Sequence, residues 1–489
     1  MALVLSTCLI GFFLRTHLFG VNRSLWLDEA MLALNIVNRS FLDLLKLLGF
    51  DQGAPLGFLL LTKAATGLLG SSDYALRLVP LLAGLVSLPM MYSVSRHFSE
   101  KLAVFLSFGL FALSPILIYY SSELKQYSTD VMITLVLLLV FRRCLSSRTT
   151  PRAFVTLGVV GSLAMWISHP SVFVFAGIVL TLGLTFALQR DSYRLSWLIG
   201  IGVAWGICFG INYLVSLRHL ESNSGLIDYW SGSFAPLPLW GNSRWYYDAF
   251  IGMLRHLAKL PTSAIIVGLL IIGALSYAFR RWQFFLVFLT PFLLTLLASA
   301  LRKYPFSGRL LLFLIPLLYL LLAEGVERVR MILLRVNRPL AGLVSAALVA
   351  YVLYGPITIV YERLQSPPVG EHIKPVMAYV RENRLPTDLI YVYYAASPAV
   401  EFYAPLYGFE SDDYSVGVAA RDDPHQYLQD IEEMRGNQRI WFVFSHNCSW
   451  CIVDEQEFIL DHLNETGVER DELLSSGSSV YLYDLGQIP

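Results

Sequence analysis

The sequence predicts an α-helical polytopic membrane protein with about eleven spans, followed by a C-terminal extracytoplasmic α/β domain. The first observation is composition: 56% of the 489 residues are hydrophobic and 15% are charged, whereas about 25% is usual for soluble proteins. The second is the recurrence of apolar runs long enough to cross a bilayer. The third is charge: residues 1–361 carry 28 basic and 14 acidic residues, and residues 362–489 carry 8 and 22. A soluble enzyme is therefore excluded.

The change of charge defines two predicted domains, a transmembrane domain over residues 1–361 and a soluble α/β domain over residues 362–489. Pro367-Pro368 is a plausible linker between them. The charge distribution argues against nucleic acid as a partner. The basic part, with a net charge of +14, is apolar, and the soluble tail carries a net charge of −14. The first apolar run lacks a basic flank and a cleavage site before Ser24, which predicts a retained span rather than a signal peptide.

The predicted spans are the apolar runs of roughly 20 residues. They cover residues 1–21, 76–95, 102–121, 127–142, 153–168, 171–188, 195–217, 261–279, 282–301, 310–323 and 339–357. The stretch Pro55–Gly70 is short and interrupted by Lys63, so it is predicted to be an interfacial or half-buried helix.

The positive-inside rule then fixes the predicted orientation, with the N-terminus in the cytoplasm. One side receives short loops dense in arginine: 96–101, 142–152, 190–194, 280–281 and 328–338. The other side receives the first loop 22–75, the loop 218–260, the turns near 122–126 and 302–309, and the tail. This predicts a multi-pass protein of the inner (plasma) membrane whose C-terminal domain is extracytoplasmic.

The tail alternates helix-like and β-rich segments, which is typical of a small layered α/β domain. Helices are predicted at 371–383, 397–406, 424–434 and 454–463, and strands at 389–394, 439–445 and 480–483. Cys448 and Cys451 form a CxxC beside His446. A structural disulfide is favoured on an oxidising side of the membrane, with a redox-active pair as the alternative, and zinc would need two further ligands.

Acidic residues are scarce in the first domain, so Asp28 and Glu29, directly after the first span, are candidate functional residues. A carboxylate at the membrane surface can take a proton from an attacking hydroxyl. The alternative is that Asp28 caps a helix over residues 31–37.

The turn between the third and fourth spans brings Glu123, Lys125 and Tyr127 together on the outer side. Tyrosine and lysine also favour the headgroup level, so an interfacial belt is the alternative to a binding site.

The loop 302–309 holds Arg302, Lys303, Tyr304 and Arg309 on the side where the rule predicts few cations. A lipid phosphate or diphosphate would be a suitable partner. Snorkelling at helix ends is the alternative, and Arg15 near the outer end of the first span poses the same choice.

Two further outer features are weaker signals. His169 ends the fifth span, where an imidazole could bind phosphate or metal or be purely structural. The loop 218–260 is rich in Trp and Tyr, which suit acceptor selection or an interfacial position.

Taken in order, these motifs resemble the GT-C superfamily across about residues 1–360. More narrowly, the chain is similar to family-39-like enzymes, the bacterial relatives of protein O-mannosyltransferases and aminoarabinose transferases. The matching motifs are Trp26-Leu27-Asp28-Glu29, Leu76-Arg77-Leu78-Val79-Pro80, Ser114-Pro115 through Glu123-Leu124-Lys125-Gln126-Tyr127, and Lys303-Tyr304-Pro305-Phe306-Ser307-Gly308-Arg309.

The resemblance implies transfer of a sugar, with inversion, from a polyprenyl-phosphate carrier to an extracytoplasmic protein, lipid or glycan acceptor during cell-envelope glycan biosynthesis. Asp28 would be the catalytic base, supported by Glu29. The donor phosphate would be held by Lys125, Tyr127, Lys303, Tyr304, Arg309 and Arg15, with Glu123 and His169 in support. The family usually has Arg at the position of Lys125, so a charge is kept but bidentate recognition is lost. No metal ligands and no cofactor are assigned, and assistance by a divalent cation stays open.

Two other classes remain as alternatives. A transporter or flippase for a polyprenyl-linked glycan would need a polar path through the spans, but spans 153–168, 171–188 and 261–279 contain no Asp, Glu, Lys or Arg. A scaffold would use the acidic tail to recruit a partner.

Overall fold

The computed structural model describes residues 2–146, 150–221, 223–238, 240–447 and 453–486. It divides the chain into two compact units. The first comprises Met1–Val21 and Ser40–Pro367, and the second comprises Asn22–Arg39 and Pro368–Pro489. The division in the tail therefore follows Pro367 rather than residue 361. The segment 22–39, which sequence reasoning places in the transmembrane domain, is part of the second unit.

The first unit is helical. Its longer helices are α1 (Ala2–Gly20), α3 (Leu56–Leu69), α4 (Asp73–Phe98), α5 (Leu102–Ala112), α7 (Tyr127–Cys144), α8 (Pro151–Ile167), α9 (Ser171–Leu188), α10 (Ser192–Asn212), α13 (Ser243–Gly252), α14 (Ala264–Arg280), α15 (Trp282–Ala300), α16 (Ile315–Val336) and α17 (Arg338–Gln365). Short helices are α6 (Pro115–Tyr120), α11 (Arg218–Glu221) and α12 (Ser224–Tyr229). The helix α2 (Leu27–Asn38) belongs to the second unit.

Seven helical stretches among the described residues are long and apolar enough to cross a membrane: Ala2–Gly20, Asp73–Phe98, Ser171–Leu188, Ser192–Leu217, Trp282–Ala300, Gly308–Val336 and Arg338–Gln365. The other four predicted spans are also helical. Three of them coincide with the shorter apolar helices α5, α8 and α14, and the fourth, α7, carries Asp130, Arg142 and Arg143. The predicted half-buried helix after Pro55 is α3, which buries Leu56, Phe58 and Leu59 on one side.

The third and the tenth predicted spans differ most from the structure in their bounds. The third breaks after α5, because Pro115 begins the short helix α6 and the residue before a proline is held extended. The tenth is longer than predicted, since α16 continues through the arginine-rich stretch expected to be a loop. Two of its three arginines are paired within the helix: Arg328 donates to Glu324 at 2.5 Å and Arg330 to Glu327 at 2.7 Å.

Local sequence explains where several helices begin. The Ser72 hydroxyl accepts a hydrogen bond from the Ala75 amide at the start of α4, and Ser263 accepts from Ile266 at the start of α14. Asn337 does the same for α17, whose second residue is a proline. These side chains satisfy amides that have no partner within the helix. The packed interior lies mainly between α4, α5, α7 and α16, where Leu88, Leu135 and Leu317 are fully buried.

The second unit is an α/β domain with one five-stranded sheet in the order β2-β1-β3-β5-β4. Its strands are β1 (Leu389–Val392), β2 (Ser415–Val416), β3 (Ile440–Ser445), β4 (Val468–Ser475) and β5 (Ser478–Asp484). The strand β1 pairs in parallel with β2 and β3, while β5 pairs antiparallel with β3 and β4. Helices α18 (Ile373–Asn383), α19 (Ser397–Tyr403), α20 (His425–Glu432) and α21 (Glu455–Thr466) complete it.

The four tail helices and three of the strands occur where the pattern predicts them. The strands β2 and β4 were not predicted. The strand β2 has only two residues, and β4 is an edge strand in which four consecutive charged residues, 469–472, leave no apolar signal. The CxxC of Cys448 and Cys451 lies outside the described residues.

Candidate active site

Asp28 and Glu29 lie in the first turn of α2, within the second unit. The residue that precedes the helix is Trp26, whose side chain makes no capping hydrogen bond. Asp28 is therefore inside the helix, and the alternative that it caps a helix beginning near Met31 is wrong. Glu29 is fully buried, whereas Asp28 is partly exposed. Of the two carboxylates, Asp28 is the more accessible.

The chain leading into α2 is fastened to the C-terminal domain by hydrogen bonds inside the same unit. The Leu25 amide donates to the Tyr403 hydroxyl at 2.8 Å, and the Leu27 amide donates to Glu371 Oε2 at 2.7 Å. Ser24 Oγ lies 2.9 Å from His372 Nδ1. The segment that carries Asp28 thus has a fixed entry into its helix.

In the first unit, the turn before α7 buries its cation. Lys125 is 4% exposed and donates from Nζ to Gln52 Oε1 at 2.8 Å. Glu123, two residues earlier, is also buried, at 1% exposed. Burial of both residues excludes a simple interfacial belt, in which lysine extends to the headgroups.

Arg309 contacts the same region from another part of the chain. Its guanidinium carbon lies 5.7 Å from the centre of the Tyr127 ring, within the range of a cation–π contact. Tyr127 begins α7 directly after the Lys125 turn, and its ring packs edge-on against Tyr120 at 5.1 Å. The structure therefore brings together two of the motifs that the sequence singled out separately.

Tyr304 and Asp130 extend this group. The Tyr304 hydroxyl donates to the Leu310 carbonyl at 2.9 Å, and its ring packs edge-on against Phe173 at 5.3 Å. Burial raises the pKa of Tyr304 well above its usual value, and the nearby Asp130 and Tyr127 raise it further. The phenol is therefore a neutral hydrogen-bond donor.

Asp130 was missed by sequence reasoning. It is 3% exposed in the first turn of α7, near the Ser168 side chain, and its Oδ1 has no hydrogen-bond partner among the described residues. An acidic residue near the start of an apolar span is the signal that could have identified it.

His169 occupies the turn between α8 and α9, next to Ser168. Its Nε2 is buried without a hydrogen-bond partner among the described residues. Burial lowers the pKa of His169 to about 4. The imidazole is therefore neutral at physiological pH and offers a ring nitrogen rather than a positive charge.

The remaining predicted phosphate ligands are placed differently. Arg15 is 1% exposed and donates from its guanidinium to the carbonyls of Gly11, Ala112 and Phe111 at 3.1–3.3 Å. These contacts tie α1 to the end of α5, where free carbonyls need donors, so its geometry is that of a structural residue. Lys303 lies on the exposed loop before Tyr304.

Two other predicted features can be placed. The loop 218–260 exposes several large aromatic side chains, namely Tyr229, Trp240 and Tyr247. Within the described ranges, no group of three or more His, Cys, Asp or Glu residues is arranged to hold a metal ion.

Comparison with known proteins finds one family model that matches part of the chain. Residues 53–188 match the family model described as dolichyl-phosphate-mannose-protein mannosyltransferase. The match covers the Lys125 turn, Tyr127, Asp130 and His169. No curated protein sequence matches the chain.

Solved structures match over nearly the whole chain. ArnT from Cupriavidus metallidurans in the apo state aligns over 98% of this chain and 97% of its own, with a TM-score of 0.56 and 14% identity. The same ArnT bound to undecaprenyl phosphate aligns over 98% and 97%, with a TM-score of 0.51 and 12% identity. The oligosaccharyltransferase AglB from Archaeoglobus fulgidus, in complex with an inhibitory peptide and a dolichol-phosphate, aligns over 99% and 75%, with a TM-score of 0.54 and 13% identity.

These matches confirm the predicted resemblance and the predicted fold class. Many apolar helices are followed by a small sheet domain, and this arrangement matches the folds of ArnT and AglB. The chain has the fold of ArnT and AglB.

Proposed function

We propose that this protein is an integral-membrane glycosyltransferase that moves a sugar from a polyprenyl-phosphate carrier to an acceptor hydroxyl, with inversion at the anomeric carbon. The observation that carries the proposal is the group formed by the buried Lys125 and Tyr127 and the half-buried Arg309 at one end of an apolar helical unit. Similarity in fold to a transferase bound to undecaprenyl phosphate supports it.

Lys125 and Arg309 supply the charge that a lipid-linked phosphate requires. A phosphate that leaves the sugar gains negative charge, and preorganised cations stabilise that charge most strongly where water is excluded. Tyr304 adds a neutral donor, and the Tyr127 ring holds Arg309 by a cation–π contact. A soluble nucleotide-sugar would instead require a phosphate-binding loop such as a glycine-rich motif, which the sequence does not contain.

Asp28 acts as the base in this proposal, and Glu29 supports it. The acceptor hydroxyl gives its proton to the Asp28 carboxylate as its oxygen forms a bond to the anomeric carbon. The bond from that carbon to the phosphate oxygen breaks, and its electron pair leaves on polyprenyl phosphate. A single displacement of this kind inverts the anomeric configuration.

The donor class follows from the phosphate chemistry and the apolar surroundings, whereas a protein, lipid or glycan acceptor fits the proposal equally well. We place the protein in the plasma membrane with Asp28 and the C-terminal domain outside the cell, because the positive-inside rule assigns the arginine-rich loops of the sequence to the cytoplasm and the segments 22–75 and 362–489 to the other side. A divalent cation is not required by the displacement as written.

The direct test uses the full chain in liposomes with a panel of polyprenyl-phosphate-linked monosaccharides and a cell-envelope extract as acceptor. Release of polyprenyl phosphate, measured by mass spectrometry, reports transfer without knowledge of the acceptor. Asp28→Asn should reduce release at least ~1000-fold, the scale expected when a general base is lost, while undecaprenyl phosphate still binds.

Asp43→Asn is the matched control, because Asp43 lies after α2 on the exposed surface and pairs with Lys46 at 2.7 Å. Full activity of Asp28→Asn would disprove the assignment of the base. Movement of a fluorescent polyprenyl-phosphate sugar across the liposome without release of the carrier would favour a flippase instead.

A further inference from the structure

The entry into α2 is the feature of the second unit that the proposed reaction does not explain. Five residues, Asn22 to Trp26, run against the C-terminal domain before the helix begins at Leu27. Besides the bonds of Leu25 and Leu27, Lys374 donates from Nζ to the Asn22 carbonyl at 2.9 Å and from its amide to Ser24 Oγ at 3.2 Å. The start of α18 thus holds the chain at several successive residues.

Glu371 accepts a hydrogen bond from the first residue of α2, Leu27. An α-helix begins with amides that have no partner inside the helix, and a side-chain oxygen usually accepts from one of them. Here the residue before the helix, Trp26, supplies no side-chain acceptor. Glu371 Oε2 instead accepts from the Leu27 amide at 2.7 Å, from more than 340 positions away in sequence.

The carboxylate of Glu371 is itself held in place. Its Oε1 lies 2.6 Å from Nδ1 of His446, the residue that directly follows β3. The helix α19 packs against α2, and its last residue, Tyr403, accepts from the Leu25 amide. The sheet therefore orients Glu371, and Glu371 orients the first turn of α2.

We infer that Glu371 is a positioning residue for Asp28 and that the C-terminal domain acts in catalysis by capping the helix that carries the base. This inference rests on the proposed function of Asp28. Asp28 follows Leu27 directly, so loss of the bond at Leu27 loosens the backbone one residue before the carboxylate. A misplacement of about 1 Å is enough to lower a rate by about 100-fold.

The test compares Glu371→Ala, Glu371→Gln and Asp28→Asn in the full chain, with the release of polyprenyl phosphate as the readout. We expect Glu371→Ala to lower the maximal rate at least 10-fold while the donor concentration for half-maximal rate stays within 2-fold, in keeping with the ~10²-fold scale for misplaced groups. Glu371→Gln keeps an oxygen for the Leu27 amide and should recover most of the rate. Glu465→Ala is the control, since Glu465 is exposed on α21.

The outcomes separate the inference from the proposed function. An active Asp28→Asn variant overturns the assignment of the base and with it this inference. An inactive Asp28→Asn variant together with a full maximal rate in Glu371→Ala overturns the inference alone. If Glu371→Ala does not fold, Glu371→Asp takes its place, because the shorter side chain withdraws the oxygen from the Leu27 amide, and an unchanged maximal rate in that variant overturns the inference.

A separate observation concerns the opposite helix ends of the first unit. A cavity of about 620 Å³ lies where α4, α7, α9 and α14 end and α15 begins. Its lining includes Arg96, Arg142, Arg280 and Arg281 but a single carboxylate, Glu100. Glu100 already accepts from Arg281 at 2.5 Å. Arginines that converge on one cavity repel each other unless an anion joins them.

Arg142 distinguishes this cavity from a surface that is merely rich in arginine. Its Nε is buried and has no hydrogen-bond partner among the described residues. Thr185 and Ser99, both buried, add hydroxyl groups to the lining. A buried guanidinium nitrogen without an acceptor is unfavourable, and a phosphate oxygen would satisfy it.

We propose that this cavity binds a phosphate group, carried by an anionic phospholipid of the leaflet it faces. Basic pockets between membrane helices on the cytoplasmic side are a known form of lipid headgroup site. A free phosphate ion would use the same contacts, so the experiment must separate these two sources.

Native mass spectrometry of the purified full chain can count retained phosphatidylglycerol or cardiolipin. We expect the double variant Arg142→Gln/Arg280→Gln to lose the tightly bound lipid. The double variant Arg335→Gln/Arg338→Gln should keep it, because these two arginines lie where α16 ends and α17 begins, outside the cavity. Displacement of the lipid by millimolar inorganic phosphate would identify a free-anion site. Equal loss in both double variants, or no bound lipid and no phosphate, overturns the proposal.

Discussion

At the scale of single residues, Lys125 places an ammonium group where the family that the sequence resembles usually has a guanidinium group. Its ammonium is buried and anchored by Gln52 at 2.8 Å. An ammonium binds phosphate as a point charge, whereas a guanidinium binds it with two parallel hydrogen bonds. The buried position compensates in part, because charge interactions strengthen where water is excluded.

Replacement of Lys125 by methionine should weaken binding of undecaprenyl phosphate about 10- to 100-fold, since a hydrogen bond to a charged group contributes about 1.5–3 kcal/mol. Fluorescence or radioligand binding to the purified protein measures the change. Lys101→Met, on the exposed surface at the opposite helix ends, should leave binding unchanged. Equal weakening in both variants would show that the effect is one of overall charge.

His169 gives a prediction about pH. Its pKa of about 4 in the folded protein lies below the usual 6.5. Between these values the unfolded chain binds a proton that the folded chain does not, so the free energy of unfolding falls as the pH falls through 6.5 and levels off below 4. His169→Gln should flatten the dependence of Tm on pH in this range. His425→Gln, at an exposed histidine, should leave it unchanged; a pH dependence of Tm that His169→Gln does not alter would contradict the prediction.

Sequence reasoning singled out candidate site residues that break a local rule, and it did not single out Asp130. Lys125 and Arg309 are cations on the side where the positive-inside rule predicts few, and Asp28 is a rare acid after a span. Asp130 lies near the start of the predicted span 127–142, just after the polar turn 122–126, and was not singled out there. Arg15 also breaks the rule, but its guanidinium donates to the carbonyls of Phe111 and Ala112 at the end of α5. The sequence alone does not show that α5 ends beside Arg15.

At the scale of helices and strands, the crossing of α14 and α16 depends on two glycines. A Cβ at Gly273 would lie 1.9 Å from the Leu321 carbonyl, and one at Gly325 would lie 1.9 Å from the Leu269 carbonyl. The two backbones are therefore in direct contact, which is the usual role of small residues in membrane helix packing.

Gly325→Ala should force these helices apart and destabilise the protein by more than the 1–3 kcal/mol typical of overpacked cores, because the obstacle is backbone rather than a movable side chain. Gly268→Ala on the same helix α14 is the matched control, since a Cβ there meets nothing within 4 Å. Thermal unfolding of both variants in detergent measures the difference. A normal Tm for Gly325→Ala would mean that the helices can separate at little cost.

Helix positions were readable from sequence because apolar runs and breaking prolines act locally, as Pro115 does between α5 and α6. The sequence did not show which residues belong to each of the two compact units. The segment 22–39 follows a span and precedes another apolar helix, so sequence alone assigns it to the membrane domain. Its hydrogen bonds go to residues 371–374 and 403, contacts of long sequence separation that no local pattern encodes.

At the scale of the whole molecule, the zero net charge is the sum of two opposed parts, +14 over residues 1–361 and −14 over residues 362–489. The positive part is concentrated where consecutive helices turn, at the ends of α4, α7, α9, α14 and α16. Positive charge beside membrane helices favours the cytoplasmic side. The negative part lies beyond α17, the last helix long and apolar enough to span among the described residues.

This arrangement predicts that α17 separates two compartments. In a variant without the five natural cysteines, Arg338→Cys precedes the apolar part of α17 and Glu465→Cys lies on the exposed surface of α21. A maleimide that cannot cross membranes should label Glu465→Cys in intact cells and Arg338→Cys only after permeabilisation. Labelling of both from the same side would mean that α17 does not cross the bilayer. Such a result would place the C-terminal domain, and with it Asp28, on the side of the arginines, where the proposed extracytoplasmic transfer cannot occur.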